Sequence, residues 1–113
     1  MACTTAVSFI VGNTLNYRGY TIEDLSANST FEETTFLLWN GRLPNKSELE
    51  TFSADLNKNM ALDPAFINVL KALPTKDVHP MAWLRTAVSL MAHWDADASD
   101  IGADANRRKA VRL

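Results

Sequence analysis

The side chains able to do chemistry in this 113-residue sequence are few and scattered. His79 and His93 are its two histidines. They fall near the two ends of one helix-like run, about 21 Å apart if that run is helical. They cannot share a metal ion or relay a proton within one molecule. A cap before Pro80 suits His79, and an edge position suits His93. The stretch "DADASDIGAD" sets Asp95, Asp97, Asp100 and Asp104 in a pattern that superficially suggests a calcium loop. Its glycine comes too late and no bidentate glutamate follows, so a solvated loop with Asp104 as a helix cap is the better reading. Arg107, Arg108, Lys109 and Arg112 form a basic cluster that could meet phosphate. No aromatic residue interleaves with it, as single-strand stacking would require, so it reads as a solvated helix face. Arg18, in "NYRGY", could also contact phosphate, but the reading preferred here points it outward while Tyr17 and Tyr20 pack. Cys3 is the one cysteine, which excludes an internal disulfide and a cysteine metal cluster. No glycine-rich phosphate loop, nucleophile elbow or metal-ligand spacing is present. The residues alone give no active site.

The elements that carry these residues are mostly helices. "TAVSFIV", the turn signal Gly12-Asn13 and "LNY" read as a two-stranded ribbon over residues 4–20, broken by Gly19. From Thr21 onward helix starts are explicit. "TIED" is a capping-box variant, "TFEE" a full box, and "NKSE" a box with Asn as cap. Asp63-Pro64 and His79-Pro80 put proline in a first turn, and Gly41, Leu43-Pro44 and Leu73-Pro74 supply stops. Leu49, Phe52, Leu56 and Met60 make one apolar stripe, and Phe66, Leu70 and Leu73 another. "PMAWLRTAVSLMAHW" has almost no polar face and needs cover on every side, which about five other short helices cannot provide.

Hydrophobic residues make up 47% of the chain and charged residues 21%, a globular rather than disordered balance. A net charge of −2 gives no whole-molecule attraction to nucleic acid or anionic membrane. No apolar run reaches a membrane span, no basic flank precedes "MACTTAVSFIVGN", and the lone cysteine fits a cytoplasmic setting. The ending "NRRKAVRL" opens a helix without closing it, so the sequence reads as part of a longer chain.

Four motifs in order then carry a resemblance. "TTAVSFIVGNTLNYRGYTIEDLS", "STFEETTFLLWNGRLPNKSELETF", "LPTKDVHPMAWLRTAVSLMAHWDAD" and "ANRRKAVRL" resemble the N-terminal part of citrate synthase, close to bacterial forms and 2-methylcitrate synthases. The family's glycine-rich lead-in before "TTAVSF" is absent. The resemblance implies a mainly α, multihelical segment with a short N-terminal β-hairpin (1–20) followed by helices (21–113), read as a single unit. It implies a parent acyltransferase of the tricarboxylic acid cycle that condenses acetyl-CoA with oxaloacetate through histidines and a carboxylate, all beyond the equivalent of Leu113. His79 matches none of them. No catalytic, cofactor-binding or metal residue is therefore expected in this chain, and acetyl-CoA is only the parent's substrate. The expected role is scaffold and homodimer contact, through the helix from Pro80 to Trp94. Two alternatives stand beside it: a free-standing helical interaction module, and a small metal or anion binder using His79, His93 or the Asp-rich loop. Acetyl-CoA and propionyl-CoA are not distinguished as parent substrates.

Overall fold

The computed structural model describes residues 4–112, so Cys3 lies outside the described residues. It is mainly helical, with six helices among the described residues and a short N-terminal antiparallel sheet. The strands are β1 (Ser8–Val11), β2 (Thr14–Tyr17) and β3 (Tyr20–Thr21). The helices are α1 (Ile22–Asn28), α2 (Phe31–Asn40), α3 (Lys46–Asn59), α4 (Pro64–Ala72), α5 (Pro80–Met91) and α6 (Ala103–Arg112). The chain divides within α3 into two compact units, one up to Ala54 and one from Asp55.

In the first unit the sheet has order β1-β2-β3, one strand more than the sequence suggests. Val11 pairs with Thr14 across Gly12-Asn13, with Gly12 at φ 61°. Tyr17 pairs with Tyr20 across Arg18-Gly19. Arg18 at φ 51° and Gly19 at φ 97° are both left-handed, the conformation of a type I′ hairpin turn. Gly19 therefore turns the ribbon instead of ending it. An arginine in that turn is unusual, because its Cβ opposes positive φ. Leu37 is fully buried and Leu25 nearly so. Phe52 meets Phe36 and Trp39 edge-to-face, with centroids 5.5 and 5.7 Å apart.

The caps form as the sequence signals them. Thr30 and Glu33 close a reciprocal box at α2. Asn45 Oδ1 accepts from the Glu48 N–H while Glu48 Oε2 accepts from the Asn45 N–H, both at 2.9 Å, at the start of α3. Gly41, at φ 77°, ends α2 and returns its N–H to the Leu37 carbonyl.

In the second unit Phe66, Ala87 and Ala105 are buried, one each on α4, α5 and α6. Asp63 and His79 cap α4 and α5 ahead of their prolines. Met60 falls past the end of α3 and is 69% exposed, so it leaves the stripe assigned to it. The helix expected to reach Trp94 stops at Met91. Ala92, His93 and Trp94 bond back three residues, not four, the tightening common where a helix ends. Part of the apolar surface of α5 is not covered: Met81, Leu84 and Val88 are 62%, 48% and 44% exposed.

Candidate functional site

Arg18 is the first residue whose position differs from expectation. Its guanidinium donates from Nη1 to the Ala6 carbonyl and from Nη2 to the Leu38 carbonyl, both at 3.1 Å. Its own N–H bonds the Val7 carbonyl at 3.0 Å. Leu38 lies in the last turn of α2, where carbonyls have no intrahelical donor and the helix dipole favours a cation. Arg18 thus ties the ribbon to the end of α2. The outward orientation expected of it is overturned, and so is the packed role of Tyr20, which is 38% exposed.

The acidic loop and α6 come together. Asp97 accepts from Arg108 Nε at 2.9 Å and Nη2 at 2.7 Å. Arg112 Nη2 reaches Asp95 at 2.6 Å and Asp97 at 2.7 Å. The two guanidiniums hold the Asp97 carboxyl well below the ordinary carboxylate range, chiefly through the Arg108 hydrogen bonds and then those of Arg112. Asp97 and Asp95 in turn raise Arg112. Arg108 and Arg112 are accordingly a brace, not the purely solvated face expected. Asp104 is inside the first turn of α6 instead of capping it. Asp100 Oδ1 accepts from the Gly102 N–H at 2.8 Å just before that helix.

The histidines stay apart in role. His79 Nδ1 accepts from the Met81 N–H at 3.2 Å as a cap. His93 lies past α5, edge-on to Trp94 with centroids 6.4 Å apart. Among the described residues no group of three or more His, Cys, Asp or Glu could hold a metal ion. No described helix is long and apolar enough to cross a membrane.

A concavity of about 350 Å³ lies in the second unit. Phe66, Val88, Met91 and Trp94 contribute apolar walls, and Lys58, Lys109 and Arg112 line it with Asp63 and Asp95. Phe66 and Trp94 meet edge-to-face, with centroids 5.3 Å apart. Neither histidine lines it. The described arrangement offers braces, caps and open apolar surface, with no paired nucleophile and base.

A family model described as "Citrate synthase, C-terminal domain" matches residues 1–113. The chain belongs to the citrate synthase family. It is 47% identical over 113 residues to citrate synthase 2 of Bacillus subtilis, covering 100% of this chain and 30% of that protein. It is 43% identical over 112 residues to a 2-methylcitrate synthase of Mycobacterium tuberculosis, covering 97% of this chain and 28% of that one. The crystal structure of citrate synthase from Pyrobaculum aerophilum superposes with a TM-score of 0.83 at 34% identity, over 100% of this chain and 31% of that chain. Citrate synthase from Thermoplasma acidophilum, solved as a ternary complex with carboxymethyl coenzyme A and oxaloacetate, superposes with a TM-score of 0.84 at 28% identity, over 99% of this chain and 30% of that one. The chain thus spans about 30% of the length of these citrate synthases. The family resemblance and the mainly helical fold expected from the sequence are both found.

Proposed function

We propose that this chain is the N-terminal scaffold portion of a cytoplasmic citrate synthase whose intact form condenses acetyl-CoA with oxaloacetate. In this reading it supplies helical framework and homodimer contact, and binds no cofactor or metal. The observation that carries the proposal is the uncovered face of α5 in a chain of this family. Met81, Leu84 and Val88, spaced three and four residues apart, share one side of the helix and remain largely in water. Each such side chain forgoes about 1.5–3 kcal/mol of burial until something covers it. Open apolar patches of that kind mark contact surfaces. The matching family model is described as a C-terminal domain; the N-terminal placement rests instead on the order of the ribbon, the helix pair and the His-Pro-Met helix.

The test joins two measurements. Reading the gene on both sides of the 113 codons shows whether catalytic histidines and a carboxylate follow, as the placement requires. If they precede instead, or if the frame encodes only this chain, the placement fails. Sedimentation of the 113-residue chain then tests the contact: a concentration-dependent dimer is expected, and a well-folded monomer far above micromolar concentration overturns it.

A further inference from the structure

The concavity in the second unit has a composition that plain structural cover does not account for. Its apolar walls include Phe66, which is 3% exposed, and Trp94, which stays 41% exposed. Its lining carries three cations and two carboxylates. Both carboxylates already have partners. Asp95 is held by Arg112, and Asp63 Oδ1 accepts from the Ala65 N–H at 2.7 Å as the cap of α4. The ammonium groups of Lys58 and Lys109 face no carboxylate within 4 Å among the described residues. Lys109 donates only to the Asp100 carbonyl. An apolar hollow with a half-open indole and uncompensated ammonium groups suits a ligand that is flat and apolar at one end and anionic at the other.

We propose that this concavity is a binding site for a small organic anion with an aromatic body, the ring lying against Trp94 and the anionic group toward Lys58 and Lys109. A volume of about 350 Å³ is at the lower end of the range for ligand sites, so the class is a bicyclic carboxylate, not a large cofactor.

The experiment titrates the 113-residue chain with 2-naphthoate, followed by isothermal calorimetry and tryptophan fluorescence, against the neutral isostere 2-naphthalenemethanol. One saturable site is expected, with the alcohol at least tenfold weaker. Lys58→Glu should weaken naphthoate at least tenfold and leave the alcohol unchanged, while Lys58→Arg should preserve both. Val88→Trp, which fills the hollow from α5, should abolish binding of both while circular dichroism confirms the helices. No saturable binding, equal binding of acid and alcohol, or full binding by Val88→Trp would each overturn the proposal. The hollow shares Val88 with the proposed dimer face but not Met81 or Leu84, so the two readings are tested apart at Leu84. A Leu84→Glu chain that still binds naphthoate as a monomer would remove the dimer contact and leave the site standing.

Discussion

Two arginine arrangements dominate at the scale of single residues, and neither was legible in the sequence. Arg18 bonds carbonyls 12 and 20 residues away. Arg108 and Arg112 reach carboxylates 11 to 17 residues back. Periodicity sees only neighbours along the chain, so both were read as solvated charges. Arg18→Ala should lose bonds to two carbonyls and cost about 1.5–3 kcal/mol of unfolding free energy. Tyr20→Ala should cost about 1 kcal/mol or less, as a half-exposed cross-strand partner of Tyr17. Urea titration of the two variants checks this, and the reverse order would restore the outward arginine. Acid supplies a second check. Arg42 holds Glu48 down to about 2 from 4.5, first through its side-chain hydrogen bonds and then with help from the Asn45 N–H. A carboxyl lowered on folding stabilises above its ordinary value, and that contribution is lost as pH falls through the folded value. The Glu48 contribution is therefore lost between about 4.5 and 2, and the Asp97 contribution from 3.8 downward. Asp97→Asn should flatten the fall in melting temperature below pH 4. Arg42 and Arg108 are more than half exposed, so added salt should shrink the effect.

At the scale of elements, the sequence was informative where the physics is local. The boxes at Thr30 and Asn45 close within three residues, so their signals survive without knowledge of packing. Asn45→Ala should cost about 1 kcal/mol and fray the start of α3, visible as faster amide exchange there. Gly41→Ala should cost about 1 kcal/mol for a purely conformational reason. A Cβ there would meet nothing within 4 Å, but φ is 77°. Loss of stability in that variant without any change in neighbouring side chains is the expected result. The third strand escaped the sequence reading because Arg-Gly is an atypical type I′ pair. The early end of α5 escaped because "AHWD" keeps an apolar rhythm after the helical bonding has changed.

At the scale of the whole molecule, the family and the mainly helical fold are plain. The purified chain should show no thiol release from acetyl-CoA with oxaloacetate above a blank. Turnover in material free of host enzyme would contradict the scaffold reading. Leu84→Glu should shift the proposed dimer toward monomer, because it puts an unpaired charge on a surface that pairing would bury. The open face of α5 could be anticipated from composition, since too few helices were present to surround it. The hollow beside Trp94 could not, because Lys58, Phe66 and Lys109 belong to three different helices.

The tie from Arg18 to Leu38 also sets an order in time. Capping boxes need only a three-residue closure and helices of this length form within about a microsecond. Of the two carbonyls the guanidinium grips, that of Ala6 needs only the ribbon, but that of Leu38 is absent until the end of α2 exists and a twenty-residue loop has closed. The ribbon should therefore latch after the helix it latches onto. In pulse-labelled exchange during refolding, the Gly41 amide, bonded at the end of α2, should become protected before the Arg18 amide, whose bond to Val7 closes with the slower-forming ribbon.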